Sequence, residues 1–198
     1  MSEDSNDTTV LVVDDERRLA DLFATWLARS YDVRTAYDGQ EAIDEFDDDV
    51  DVVLLDRRMP GLSGDEVLSE IRDQNEEVQV AMVTAVDPDF DIIDLGFDDY
   101  LVKPVAKEEL NDVVEKMSSR AEYDRKIREY YGLASKRALL ESEKPSSELA
   151  NSEEYQRLLD DLDDLREEVH EAIQELSSHE EFAKAFWRLD PGGLDDDG

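Results

Sequence analysis

Two continuous apolar runs, at residues 10–13 and 52–55, and a third run at residues 78–83 that only Gln79 interrupts, mark the first half of the chain. A short run of this kind predicts a strand of a parallel sheet that is buried on both faces. The alternating segment 31–37 and the short segment 99–102 predict two further strands. The pattern therefore predicts five strands before residue 105.

Apolar residues at helical spacing fill the stretches between these strands. Five strands that alternate with five helices imply βαβ units with right-handed crossovers. The predicted fold class is therefore α/β, with a doubly wound five-stranded parallel sheet. The predicted helices cover residues 16–29, 42–46, 64–73 and 105–117, with a short fourth helix that starts at Asp87-Pro88 and passes through Ile92, Ile93 and Leu95.

Strand patterns stop after residue 117, and two more helices are predicted. The first covers residues 121–142, and its phase shift predicts a bend or stutter near residues 118–122. A break at residues 143–147 precedes the second helix, which begins at Asn151 or Ser152. One-sided apolar stripes predict an antiparallel helical hairpin or coiled coil. The stripes are Ile127, Tyr131, Ala134 and Ala138 in the first helix, and Leu158, Leu162, Leu165, Val169, Ile173 and Leu176 in the second, which Phe182, Phe186 and Leu189 could extend.

The composition is extremely acidic, with 55 Asp and Glu residues against 21 Lys and Arg residues and a formal net charge of −34. Such a charge repels itself, nucleic acids and anionic membranes. Molar salt shortens the Debye length to about 3 Å and screens the repulsion, so the composition indicates a halophilic protein. The chain has no cysteine, which excludes disulfides, thiol nucleophiles and thiolate metal sites.

No apolar run approaches the roughly 20 residues that a membrane helix needs. The polar start of the chain does not have the pattern of a signal peptide. We therefore expect a cytoplasmic protein with no membrane partner. Disordered tails are expected at residues 1–8 and 190–198, because both segments are polar or acidic.

Charged residues and one Thr occupy the carboxyl-terminal ends of the predicted strands. They are Asp14-Asp15, Asp56, Thr84 and Lys103. The carboxyl ends of parallel strands share one edge of a sheet, so we expect these side chains to converge. Three converging carboxylates need a cation, and aspartate oxygens suit Mg²⁺.

A divalent cation and the Lys103 ammonium together would neutralise an arriving phosphoryl group. Asp56 is then the candidate nucleophile, because carboxylates form aspartyl-phosphates. Thr84 offers a hydroxyl group to a phosphoryl oxygen, and the small Ala85 beside it leaves access. Each residue alone has a plainer explanation, since Asp caps helices, Thr ends strands and Lys decorates loops. Their occurrence together in this strand order favours phosphoryl chemistry.

Over roughly residues 9–118 the sequence resembles a response-regulator receiver domain of two-component signalling. The matching motifs are VLVVDDE, LLDRRMPGLSG, the Thr84-Ala85 pair and GFDDYLVKP. The resemblance implies a flavodoxin-like fold, a histidine kinase as partner and Asp56 as the phosphoacceptor. It implies Mg²⁺ as cofactor, bound directly by Asp15 and Asp56, through water by Asp14, and by the backbone carbonyl of Arg58.

The resemblance also implies a conformational switch. Thr84 would be the switch hydroxyl, Lys103 the ammonium that pairs with the phosphate, and Tyr100 the switch aromatic. Phosphorylation would act through the face formed by the fourth predicted helix, the fifth strand and the fifth helix. Arg57 and Arg58 occupy positions at which the family varies.

The C-terminal part resembles the HalX output domain that is attached to receivers in halophilic archaea. Its length, acidity and two-helix pattern carry the resemblance. We therefore expect a receiver at residues 9–118 and a HalX-like output domain at residues 119–189, between the two tails. No helix-turn-helix pattern is visible at residues 118–198.

Two classes of function remain open. The first is a response regulator, which is not an enzyme. Its output would be transcriptional regulation with DNA contact, or protein interaction without it, and a homodimer is expected. The second is a Mg²⁺-dependent phosphohydrolase with an aspartyl nucleophile. It is disfavoured because no second acid near the nucleophile and no cap over a substrate pocket are evident.

The only locally basic region of the chain lies at residues 116–137. It could contact DNA, but surface pairing with Glu122, Asp124 and Glu129 is the favoured interpretation. His170 and His179 are interpreted as surface residues, because the sequence shows no converging metal ligands around them. The basic residues are Lys116, Arg120, Arg125, Lys126, Arg128, Lys136 and Arg137.

Overall fold

A computed structural model describes residues 8–178 of the chain, and its first part is built on one five-stranded sheet. The order of the strands is β2-β1-β3-β4-β5, and every neighbouring pair is parallel. The predicted parallel sheet is therefore confirmed. The strands are β1 (Thr9–Val13), β2 (Asp32–Ala36), β3 (Val52–Leu55), β4 (Gln79–Thr84) and β5 (Asp99–Val102).

Helices connect successive strands and cover both faces of the sheet. The α-helices α1 and α4 pack on one face, and α2 and α3 pack on the other, which makes the sheet doubly wound. The α-helices of the chain are α1 (Arg17–Leu27), α2 (Gly39–Glu45), α3 (Gly64–Gln74), α4 (Lys107–Glu143), α5 (Ser146–Leu149) and α6 (Glu153–Ser178).

Two hydrophobic cores lie on opposite faces of the sheet, because successive side chains of a strand point in opposite directions. In β1, Val10 and Val12 pack with α1 and α4, whereas Leu11 and Val13 pack with α2 and α3. None of these four side chains is more than 1% exposed. Burial on both faces explains why the strand is apolar without alternation.

The predicted fourth helix is wrong in type and extent. The segment forms a 3-10 helix at Phe90–Asp94, which ends before Leu95. Phe90 is 85% exposed and Ile93 is 73% exposed, so the segment buries little apolar surface. A short α-helix depends on such burial for its stability, which is why a single tight turn forms here instead.

The predicted end of the fifth helix near residue 117 is also wrong. Helix α4 continues from Lys107 to Glu143 without interruption. Ser118 and Ser119, where the bend was expected, are buried, and the Ser118 hydroxyl donates to the Val114 carbonyl at 2.7 Å. The spacing of apolar residues shows which face of a helix is buried. When a continuous helix buries a different face further along, the spacing shifts, and this shift resembles the end of a helix.

The predicted helical hairpin is confirmed, and its two helices run antiparallel. Near one end, the Tyr155 hydroxyl donates to Glu141 Oε1 at 2.7 Å. Towards the other end, Lys126 Nζ lies 3.6 Å from Glu168 Oε2. The compact units of the chain divide between residues 121 and 122, so these contacts all lie within the second unit.

Helix α6 begins as predicted and buries Leu162, Leu165 and Val169 of the expected seam, but the seam departs from the prediction at Ile173. The Ser152 hydroxyl accepts a hydrogen bond from the Tyr155 N–H at 3.1 Å and caps the helix. Ile173 is 45% exposed, and Ala172 is buried in its place, because a strict heptad step from Val169 requires three residues. The buried residues of α6 are Tyr155, Leu162, Leu165, Val169 and Ala172.

The apolar stripe that was predicted for the second half of α4 is only partly buried. Ile127 and Ala134 are half-buried, but Ala138 is exposed and Tyr131 is 65% exposed. The predictions for the two tails, apart from Thr8, and for the extension of the last helix at residues 182–189 lie outside the described residues, as does the side chain of Leu176. Within residues 8–178, no helix combines the length and the apolarity needed to span a lipid bilayer.

Candidate functional site

The site residues that were predicted at the strand ends lie at one edge of the sheet, whereas Tyr100 lies within β5. Asp14 follows β1, Asp56 follows β3, Thr84 ends β4 and Lys103 follows β5. Backbone hydrogen bonds hold these positions to their neighbours: the Asp56 N–H donates to the Val13 carbonyl at 2.9 Å, and the Lys103 N–H donates to the Thr84 carbonyl at 2.8 Å. The strands thus determine where each functional side chain stands.

Lys103 joins two of the carboxylates directly. Its Nζ lies 2.6 Å from Asp14 Oδ2 and 2.8 Å from Asp56 Oδ2. Asp14 is 2% exposed and Asp56 is 7% exposed. Asp15 is exposed, yet one oxygen from each of the three carboxylates lies within 4.8 Å of the others. The convergence expected from the strand ends is therefore present.

Burial and ion pairing have opposite effects on the pKa values of Asp14 and Lys103. Burial raises the pKa of Asp14, and the hydrogen bond from Lys103 opposes part of that rise. Burial lowers the pKa of Lys103, but the hydrogen bonds to Asp14 and Asp56 and the negative charges of these carboxylates together outweigh burial, so the pKa is raised. Lys103 is consequently a cation at neutral pH.

The donor set of this cluster fits a hard divalent cation. Its carboxylate oxygens are the ligands that Mg²⁺ prefers, and the exposure of Asp15 gives access to water, which Mg²⁺ retains as a ligand. The Arg58 N–H donates to Asp56 Oδ1 at 3.3 Å, so this part of the backbone lies beside the cluster. Ligation by the Arg58 carbonyl stays a prediction.

Thr84 and Tyr100 are linked through Val86. Thr84 is fully buried, and its hydroxyl accepts a hydrogen bond from the Val86 N–H at 3.4 Å. The Tyr100 hydroxyl donates to the Val86 carbonyl at 2.7 Å, and its ring packs against Phe97 with 5.5 Å between centroids. The bridging role of Val86 could not be found from the sequence, because Val86 acts through backbone groups that every residue except proline carries.

The loop between β3 and α3 contains an ion pair that sequence reasoning missed. Arg57 contacts Asp65 with two of its nitrogens, at 3.0–3.2 Å. The signal available in the sequence was an Arg beside Asp56, the predicted phosphoacceptor, and an Asp in the first turn of the following helix. This loop also borders a surface cavity of about 470 Å³, which is lined by Arg57, Arg58, Met59, Ser63, Asp65, Val86, Asp87 and Asp89.

The basic region on α4 is partly neutralised by carboxylates. Lys126 pairs with Glu122 at 2.7 Å, as the favoured interpretation expected, and Arg137 pairs with Glu141 at 2.9 Å. His170 is exposed, and its Nε2 lies 2.9 Å from the Gln174 amide nitrogen. The prediction for His179 lies outside the described residues.

Family models match both parts of the chain. The response regulator receiver domain matches residues 10–115, and the HalX domain matches residues 119–186. A Haloferax volcanii protein named "Putative transcriptional regulator" is 47% identical over 166 residues, which are 83% of this chain and 28% of that protein. The chain therefore spans less than a third of the length of this relative.

Solved receiver domains are similar to the first part of the chain. The receiver domain of Francisella response regulator 1452 is 32% identical with a TM-score of 0.52, and the match covers 57% of this chain and 98% of that one. The BeF3-activated receiver domain of DrrB, a Thermotoga maritima protein, is 28% identical with a TM-score of 0.52. That match covers 56% of this chain and 96% of the other.

Proposed function

Because the chain belongs to the response regulator receiver family and carries a HalX domain, we propose that it accepts a phosphoryl group on Asp56 from a histidine kinase. The observation that carries the proposal is the cluster in which Lys103 Nζ lies 2.6 Å from Asp14 and 2.8 Å from Asp56. A carboxylate, a neighbouring acidic group and an ammonium at one sheet edge are the components that phosphoryl transfer requires.

In the proposed reaction, a carboxylate oxygen of Asp56 bonds to the phosphorus of the kinase phosphohistidine while the phosphorus–nitrogen bond breaks. The electron pair of that bond goes to the imidazole nitrogen. Lys103 would pair with a phosphoryl oxygen, because its raised pKa keeps it charged. Asp14, Asp15, Asp56 and the Arg58 carbonyl would hold Mg²⁺, which supplies further positive charge against the phosphoryl oxygens when bound.

Phosphotransfer to the wild-type chain tests this function. The full chain in molar KCl is mixed with a small phosphodonor or a phosphorylated histidine kinase, and intact mass is measured with Mg²⁺ and with a chelator. We expect one added phosphoryl group with Mg²⁺ and almost none with the chelator. Efficient labelling in the chelator would contradict the Mg²⁺ site, and no labelling under any condition would contradict the receiver function.

The proposed switch predicts a rearrangement around Val86. A phosphoryl group on Asp56 should draw the Thr84 hydroxyl away from the Val86 N–H, and Tyr100 should turn inward behind it. The hydrogen bond from Tyr100 to the Val86 carbonyl, now 2.7 Å long, should then be lost. Crystal structures with and without a phosphate mimic measure the change; Thr84 and Tyr100 unmoved between them would count against the switch.

We propose transcriptional regulation as the output of the HalX part, and the description of the Haloferax volcanii relative supports it. The alternative is a protein-interaction or dimerisation module without DNA contact. The pairing of Lys126 and Arg137 with carboxylates favours that alternative, because paired cations are less available to phosphate groups. An enzymatic phosphohydrolase is not proposed.

We propose that a homodimer forms by burying apolar side chains that the hairpin leaves exposed. Leu139 is 63% exposed and Tyr131 is 65% exposed, whereas Leu162 and Leu165 are buried and their replacement would disrupt the hairpin itself. Leu139→Glu and Tyr131→Glu together should therefore yield a folded monomer. Light scattering in molar KCl measures the mass, and a wild type that is monomeric with and without phosphorylation would rule out the dimer.

A further inference from the structure

The loop that leaves the phosphoacceptor strand is closed by a bidentate ion pair. Arg57 Nε lies 3.0 Å from Asp65 Oδ1 and 3.2 Å from Oδ2, and Arg57 Nη2 lies 3.1 Å from Oδ2. Two nitrogens against two oxygens give the most directional contact that Arg and a carboxylate can make. The Arg57 side chain is only 11% exposed, so salt screens this pair less than a surface pair.

Backbone packing brings the same two ends of the loop together. The Gly64 N–H donates to the Arg57 carbonyl at 2.9 Å. A Cβ atom at Gly64 would collide with the Asp56 carbonyl oxygen and would stand 2.7 Å from Arg57 Cα. Helix α3 therefore begins in direct contact with the phosphoacceptor's own backbone, and only glycine fits at this point.

The first turn of α3 is itself held in place. The Ser63 N–H donates to Glu66 Oε2 at 2.9 Å, and the Glu66 N–H donates to the Ser63 hydroxyl at 3.4 Å, which is a capping box. Asp65 lies within this turn, so its carboxylate is presented by a fixed backbone. The ion pair consequently connects Arg57 to a rigid element and not to a mobile loop.

We propose that Arg57 is a positioning residue of the phosphoacceptor site. Its peptide unit lies between Asp56, a predicted metal ligand, and Arg58, whose N–H donates to Asp56 Oδ1 at 3.3 Å. The contact with Asp65 holds this stretch of backbone, so that the Asp56 carboxylate keeps its orientation towards Asp14 and a divalent cation. The inference rests on the proposed function, since it assumes that the carboxylates bind Mg²⁺.

Substitutions of Arg57 and Asp65 distinguish two ways in which the ion pair could affect Mg²⁺ binding, through its charges or through the position that it gives Asp56. If only charge mattered, removing the Arg57 cation would strengthen Mg²⁺ binding, and removing the Asp65 anion would weaken it. If the ion pair positions Asp56, both substitutions weaken binding. The double variant should then bind no more weakly than the weaker single variant, because the two side chains act as one unit.

Calorimetric titration of the full chain with Mg²⁺ in molar KCl separates the two roles. We expect about 10-fold weaker binding in Arg57→Gln, in Asp65→Asn and in the double variant, the size typical for groups that orient metal ligands. Arg57→Lys keeps the charge but cannot form the bidentate contact, so it should also weaken binding. Binding in Arg57→Gln as tight as in the wild type, or tighter, would overturn the proposal.

Arg34→Gln is the matched control. It removes the same charge and breaks an ion pair with Asp47 of 2.8 Å that has no contact with the site, so Mg²⁺ affinity should not change. Circular dichroism without Mg²⁺ checks that each variant is folded, and Asp65→Asn and Arg57→Lys replace Arg57→Gln if it is not. A wild type that binds no Mg²⁺ would contradict the proposed metal site itself, whereas a wild type that binds while Arg57→Gln is unaffected would contradict only the positioning role.

Discussion

Replacing Asp56 by Asn should abolish phosphorylation of the chain. The substitution removes the carboxylate that follows β3 and contacts Lys103, and an amide oxygen is too weak a nucleophile to replace it. Intact mass after incubation with a small phosphodonor and Mg²⁺ measures the loss. We expect the labelled fraction to fall to background, while circular dichroism shows an unchanged fold.

Asp48→Asn is a suitable control, because Asp48 is exposed and the substitution removes the same charge away from the site. Its labelling should match that of the wild type. If Asp56→Asn still took up phosphoryl groups, another residue would be the acceptor. The exposed Asp15 would then be the first candidate to test by substitution. The assignment of Asp56 would then be wrong even though the site had been placed correctly.

Removal of salt should unfold the protein or bring it close to unfolding. The formal net charge of −34 opposes compaction, and the Debye length grows from about 3 Å in molar salt to about 10 Å at 0.1 M. We therefore expect the melting temperature to rise steeply with KCl concentration. For domains between roughly 60 and 250 residues, each kcal/mol of free energy of unfolding changes the melting temperature by about 2–8 °C.

Thermal melts from low to molar KCl, followed by circular dichroism, measure this dependence. A parallel series in NaCl at equal ionic strength is the control, since screening depends on ionic strength and not on the identity of the cation. Equal curves in the two salts would support screening. A melting temperature that does not change with salt would contradict adaptation to high salt.

The sheet and the converging site residues were predictable because burial acts on them directly. Val10 to Val13 are all buried, so the strand could be read from four consecutive apolar letters. Parallel strands then bring the residues at their carboxyl ends to one edge without further information. This is why Asp14, Asp56, Thr84 and Lys103 could be grouped before the structure was known.

Features that depend on partners elsewhere in the chain could not be predicted. The continuity of α4 across Ser118 and Ser119 depends on burial of small polar side chains, which the hydrophobic pattern does not register. Ala172 is buried and the neighbouring Ile173 is exposed because of heptad geometry. Hydrophobicity alone predicts the opposite, since Ile is the more hydrophobic residue. The Arg57–Asp65 pair joins oppositely charged residues across a loop, and so acidic a chain offers Arg57 many other partners.

The position of Lys103 has a consequence for the ions that can occupy the site. Its ammonium is tethered 2.6 Å from Asp14 and 2.8 Å from Asp56, so its local concentration does not fall when the surrounding solution changes. Dissolved K⁺ or Na⁺, even at molar concentration, must compete with a monovalent cation that is already in place. A divalent ion can gain more from the three carboxylates than either monovalent ion can. The tethered ammonium should therefore act as an ion-selectivity device, which keeps the site available to a scarce divalent cation in a solution crowded with monovalent ones.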